Sequence, residues 1–193
     1  MIEKEFLKVI QSDQKMMSIL RVIAGLDLKD SWLAAGAIRN YIWNLHCGRP
    51  GFDSETDLDV VFYDPDISYQ HTLSIQDILK AACPAYSWEI KNQVYMHGHN
   101  PETDPYVSTR DAIRKYPETA TAVALRLVDN KLELFAPYGL EVISRFEIHP
   151  TPHFKASSKR MRVYQERMAK KDWRQKWPQI QIFNDQPRRR EDV

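Results

Sequence analysis

The sequence predicts an α+β protein, with a mixed β-sheet and flanking helices. Three stretches carry that expectation. Trp32 to Asp64 reads as a strand, a glycine turn, an amphipathic helix, a loop and a second strand. The residues ahead of it place apolar side chains at helical spacing, and Thr121 to Phe135 alternates like two strands joined by a tight turn.

Taken in order, residues 2 to about 24 form two apolar groups, Phe6, Val9, Ile10 and then Met16, Met17, Ile19, Leu20, Ile23. These predict two helices, the second capped by Ser12 or Asp13 and ended by Gly25. Trp32 to Ala35 is short and apolar, as a buried strand is. Gly36 breaks it, and Ile38, Tyr41, Ile42 and Leu45 resume the helix period until Gly48 and Pro50 stop it. A polar loop leads to Asp57-Leu58-Asp59 and the strand formers Val60 to Tyr63.

A helix capped by Ser74, with Asp77 completing a capping box, is expected next, ending at Pro84. Tyr86 to Met96 alternates: Trp88, Ile90, Val94 and Met96 on one face, Glu89, Lys91, Gln93 and Tyr95 on the other. Residues 97–107 read as a loop, followed by a short helix capped by Ser108 and Asp111. The hairpin turns at Asp129-Asn130. A short helix through Phe146, a proline-spaced linker at 149–153, a basic helix over about 156–174 and a frayed QPRRREDV end complete the chain. The expected organisation is a domain over 1–150 with a helical start, and a basic helical extension over 151–193.

Composition narrows the function classes. A chain of 193 residues that is 43% apolar and 27% charged can bury a core without staples. Its two cysteines, Cys47 and Cys83, support neither a disulfide framework nor a four-cysteine zinc site. No apolar run approaches membrane-spanning length, and no export signal stands at the start, so the expected setting is the cytoplasm. The net charge of +1 conceals an asymmetry: from Lys155 onward Lys and Arg outnumber Asp and Glu, and before it the acids are in excess. Such a basic tail serves either a phosphate-rich partner, nucleic acid included, or packing against the acidic body.

Asp57 and Asp59, two apart on a strand, point the same way, and carboxylates held that close call for a cation. Mg²⁺ is the natural one, with Mn²⁺ as alternative, because it is shared between carboxylates and substrate phosphates. Solvent-facing acids at a strand mouth are the plainer alternative. Gly36 stands at a helix N-terminus, where free N–H groups favour an anion, although many such turns hold glycine for steric reasons. His97 and His99 lack a third ligand, so a zinc hydrolase is the weakest option.

The segments AAGAIRN (34–40), TDLDVVFYD (56–64), WEIKNQVYMH (88–97), TATAVALRL (119–127) and APYGL (136–140) together resemble an uncharacterised bacterial nucleotidyltransferase-like family of the DNA polymerase beta superfamily. The resemblance covers most of residues 30–150 and implies the nucleotidyltransferase fold. It also implies metal-assisted transfer of a nucleoside monophosphate from a nucleoside triphosphate to an unknown acceptor hydroxyl. Asp57, Asp59 and Glu89 would be the catalytic, metal-binding acids, with Glu133 in reserve for Glu89. Gly36 and Ala37 would cradle phosphate, with Arg39 and Lys91 as further contacts, unless Arg39 merely pairs with a surface acid. Two positions depart from the superfamily pattern: Ala37 replaces the usual serine and removes a hydroxyl, and Glu89 replaces aspartate. The alternative function is a non-catalytic module of the same fold, binding nucleotide, or nucleic acid through the basic helix.

Overall fold

The computed structural model describes residues 1–184; the expectation of a frayed QPRRREDV end lies outside them. The chain runs α1 (Glu3–Ser12), α2 (Gln14–Gly25), β1 (Trp32–Ala34), α3 (Gly36–His46), β2 (Leu58–Phe62), α4 (Tyr69–Ala82) and β3 (Trp88–Asn92). Then follow α5 (Thr109–Arg114), β4 (Ala124–Val128), β5 (Lys131–Phe135), α6 (Glu141–Ser144), β6 (Glu147–Ile148), α7 (Pro152–Lys155), α8 (Ser158–Lys170), α9 (Trp173–Lys176) and β7 (Gln181–Ile182).

Five strands form one mixed sheet in the order β3-β2-β1-β4-β5. β1 pairs antiparallel with both β2 and β4, β4 with β5, and β2 lies parallel to β3. β6 and β7 make a separate parallel pair. Period-2 alternation splits the sheet residues between two apolar clusters. Leu33, Leu58, Val60, Phe62, Trp88, Ile90 and Leu125 join the larger cluster with α1 to α4 and α8. Trp32, Ala34, Val61 and Ala124 face the other way, where Ile113 of α5 supplies a thinner cover. Asp59 has the parity of Val61, so it stands on that thinly covered face.

Several local expectations resolve. Asp13 caps α2, its carboxylate accepting from the N–H groups of Lys15 and Met16 at 2.9 and 3.0 Å, while the Ser12 hydroxyl turns back to Lys8 O. Asp129 and Asn130 both take positive φ (48° and 61°), the conformation a two-residue hairpin turn requires.

Others are corrected. α4 begins a turn and a half before Ser74 and is capped by Ser68; the Ser74 hydroxyl instead bonds back to Gln70 O within the helix. β3 stops at Asn92 rather than running to Met96. The Asn92 side chain is 1% exposed and donates to Asp64 O and Ile67 O, and these bonds to the turn after β2 end the strand and start two 3₁₀ turns over Gln93–Tyr95 and His97–His99. Residues 149–153 are not a free linker: Thr151 caps α7, and Glu118 bridges Pro150. The basic helix is broken near Lys171 into α8 and α9. Met161, Tyr164, Met168 and Trp177 from this C-terminal stretch are buried in the larger core cluster. Both cysteines are free and half-buried at helix ends, less enclosed than core thiols.

Candidate active site

Three chain ends meet at one edge of the sheet because of the pairing directions. β1 leaves the sheet at Ala34, whose antiparallel partner on β2 is Asp59. β3 runs parallel to β2, which places Glu89 beside Asp59. The exit of β1, the entry of β2 and the entry of β3 therefore share that edge, and α3 starts there.

The turn between β1 and α3 differs from the expectation. Gly36 is already in the helix, and it is Ala35 that takes the unusual backbone, φ 53° and ψ −115°. Its N–H is held by Val123 O at 2.9 Å, and its carbonyl accepts from Ile38 and Arg39. The N–H groups of Gly36 and Ala37 thus precede the first intrahelical bonds, and no described side chain caps them. A Cβ added at Gly36 would meet only Arg39 Nη2 at 3.7 Å and Thr56 Cγ2 at 3.9 Å. Packing therefore does not demand glycine there. The Ala37 methyl is buried, 5% exposed, so a serine hydroxyl at this position would sit against the core side.

A polar cleft of about 400 Å³ opens at this edge. Gly36, Arg39 and Asn40 of α3, and Asp57 and Asp59 at the start of β2, line it. The opposite wall comes from the stretch expected to form a separate extension: Arg167 of α8, Lys171, Trp173 and Lys176. Among the described residues no acid pairs with Arg39. Its guanidinium lies 4.3 Å from the Trp173 ring and 4.9 Å from that of Trp43, and donates to Asn40 Oδ1 at 2.9 and 3.1 Å. Burial brings it down to about 10, so it stays charged at neutral pH. Burial, Arg167 and Arg39 likewise push the ammonium of the exposed Lys171 down. Cations crowded this way gain from an anion between them.

Asp57 is exposed one residue ahead of β2, and Asp59 is half-buried. The Lys91 ammonium donates to Asp59 Oδ1 at 2.8 Å and pairs with Glu89 Oε2 at 2.5 Å. Burial works against that charge, but Asp59 and Glu89 outweigh it and hold Lys91 above its usual range. Lys91 is thus a partner of the acids. Among the described residues no group of three His, Cys, Asp or Glu side chains is placed to hold a metal. Glu55 and Asp172 also line the cleft, Glu55 paired with Lys176, but Asp57 and Asp59 are the two hard oxygen donors together on the sheet wall; they fit a cation whose remaining ligands are substrate phosphates and water. Glu133 is elsewhere, paired with Arg126 on the hairpin. His97 and His99 hydrogen-bond their own 3₁₀ turns through Val94 O and Met96 O.

Glu118 was not foreseen. It is fully buried beside the site, accepts from Thr121 Oγ1 at 2.5 Å and pairs with Arg167 Nε. A single glutamate in a loop leaves no periodic signal, and its partner lies 49 residues away.

The relation to known proteins follows from a family model described as nucleotidyltransferase, which matches residues 21–182. The chain belongs to that nucleotidyltransferase family. A solved structure described as revealing a CCA-adding enzyme head domain superposes with a TM-score of 0.89 at 50% identity, covering 95% of this chain and 96% of that one. No curated protein matches the chain. The nucleotidyltransferase fold is therefore the α+β arrangement described above, its mixed sheet flanked by helices. No helix among the described residues is long and apolar enough to cross a membrane.

Proposed function

We propose that the chain is a metal-dependent enzyme that moves a nucleoside monophosphate from a nucleoside triphosphate to an acceptor hydroxyl, releasing pyrophosphate. The observation that carries this is the polarity of one cleft. Asp57 and Asp59 face it from the sheet, while Arg39, Lys171 and the start of α3 give it positive charge, and Arg167 and Lys176 on its far wall are already paired with Glu118 and Asp53. Acids alone would repel a triphosphate, and cations alone would not orient a metal.

Asp57 and Asp59 would hold Mg²⁺ or Mn²⁺, with the triphosphate supplying further oxygens. The metal, when bound, polarises the α-phosphate and offsets charge on the leaving oxygens. Gly36 and Ala37 would donate backbone N–H groups to phosphate, and Arg39 would balance its charge. The acceptor oxygen forms a bond to the α-phosphorus while the bond to the bridging oxygen breaks, and pyrophosphate leaves with the electron pair. The hydroxyl proton passes to Glu89, beside Asp59, with Lys91 fixing the carboxylate. Residues from 151 onward would act as an extension that completes the cleft. The two free cysteines suit a reducing, cytoplasmic setting. The CCA-adding description of the similar structure makes an RNA end one acceptor to test here.

The test is pyrophosphate release from each nucleoside triphosphate with Mg²⁺ and candidate acceptors, comparing Asp57→Asn and Asp59→Asn with the parent chain. Each variant should lose at least ~10²-fold in turnover and the Mg²⁺ dependence of triphosphate binding. Unchanged metal and nucleotide binding in both would sink the proposal. RNA binding that is steeply salt-dependent, and persists in both variants, would favour the non-catalytic module.

A further inference from the structure

A second pocket of about 310 Å³ adjoins the first, sharing Ala35, Asp59, Thr121 and Arg167 with it. Its walls differ in kind. Met96, Tyr106, Tyr116, Pro117 and Val61 give it apolar and aromatic surface. Its charges are balanced within the protein: Lys91 is held by Asp59 and Glu89, and Arg167 by Glu118. Among the described residues, Gln93 and Tyr116 each present an unpaired polar atom. Gln93 is 2% exposed and donates through Nε2 to Lys91 O at 3.2 Å, but its Oε1 has no partner among the described residues. The Tyr116 hydroxyl likewise bonds to no described residue.

We propose that this pocket binds the acceptor, and that the acceptor is an uncharged small molecule with a flat aromatic or heteroaromatic ring carrying or bearing the reacting hydroxyl. The inference rests on the reading of the polar cleft as the triphosphate side. A charged ligand would find no unpaired Lys, Arg, Asp or Glu among the described residues here and would forfeit its hydration. A flat ring suits the tyrosine and methionine walls, and donors on its edge meet Gln93 Oε1 and Tyr116. The volume lies at the lower end for ligand sites, enough for one ring system. An RNA strand would need a phosphate-binding track, and among the described residues the pocket's Lys91 and Arg167 are both already paired. Asp59 borders both pockets, so a hydroxyl placed here lies across Asp59 from the triphosphate.

The experiment is an amide-shift NMR titration of the full chain, saturated with Mg²⁺ and a nonhydrolysable ATP analogue. The probes are adenosine, cytidine and pyridoxine, with myo-inositol as a ringless polyol and an RNA trinucleotide as the polymer arm. At least one ring probe should shift Met96, Asn100, Tyr106 and Tyr116 while the analogue stays bound. Met96→Trp, which fills the pocket, should weaken that probe about tenfold or more, and Tyr116→Phe about threefold, with analogue affinity unchanged in both. Shifts from none of the ring probes would overturn the proposal. So would competition between the ring and the analogue, inositol binding equally well, or the trinucleotide binding more than about tenfold tighter than any ring. Failure of the analogue itself to reach Gly36 and Asp57 would count against the triphosphate reading, whatever the rings do.

Discussion

Ala35 carries the sharpest local conflict between residue type and backbone. Its φ of 53° with ψ of −115° suits glycine, and an L-residue held there costs on the order of 1–3 kcal/mol. Ala35→Gly should therefore stabilise the fold by about 1 kcal/mol, after the added freedom of the unfolded chain is offset, as read from the urea midpoint. A destabilised variant would mean that the Ala35 methyl supplies packing worth more than the strain. The two glycines nearby make a contrasting pair. A Cβ at Gly51 would lie 2.4 Å from the Tyr41 ring, whose hydroxyl is tied to Asp13 at 2.9 Å, so the ring cannot easily give way. Gly51→Ala should lose about 1–3 kcal/mol. Gly36→Ala should keep the parent stability, since its new Cβ meets only ordinary contacts, yet weaken triphosphate binding measurably by calorimetry. Parent-like affinity in Gly36→Ala would remove the start of α3 from the phosphate site.

At the scale of elements, the C-terminal helices are fastened to the sheet edge by charge as well as by apolar contact. Arg167 of α8 reaches buried Glu118, Lys159 reaches Glu102 at 2.8 Å, and Lys176 of α9 pairs with Asp53 and, at 3.3 Å, with Glu55. Part of the tail's positive charge is thus consumed by the acidic body, which is the packing alternative of the sequence asymmetry. Glu118→Gln should destabilise the protein by about 2 kcal/mol in urea denaturation at neutral pH. That figure sits below the range for a fully enclosed pair because the Arg167 side chain is 38% exposed and can regain water. An unchanged midpoint would show that apolar burial of Met161, Tyr164 and Met168 alone docks α8.

Over the whole molecule, acid sensitivity should trace to His153 at the junction of the body and the C-terminal helices. Burial, with Arg160 and Lys115 nearby, pushes its imidazole down to about 4, and Thr103 Oγ1 lies 2.9 Å from its Nε2. The unfolded chain binds this proton near the ordinary value of 6.5, and the folded chain only near 4. Between those values the unfolded state holds more protons, so stability falls as pH drops through that window. His153→Gln should flatten the pH dependence of the melting temperature there; an unaltered slope would assign it to other groups.

The sequence by itself determined the order of the elements and the acids of the motif. Helix spacing in α1 to α3, the Asp129-Asn130 turn and the placement of Asp57 and Asp59 at a strand entry are local properties, written within a few consecutive residues. It was misled where a side chain's partner lay far along the chain. Ser74 looked like a cap, but Ser68 is one; Tyr86–Met96 looked like one strand, but Asn92 is tied to the turn after β2 and ends it. The strand breaks at Ala35, one residue before Gly36, because the Ala35 N–H closes on Val123 O while its carbonyl begins α3. Only the tertiary structure decided that the basic tail forms a wall of the cleft, that Glu118 holds Arg167, and that a second, charge-balanced pocket adjoins Asp59. These features join residues tens of positions apart, and no period or spacing in the chain encodes which of its many charges will meet.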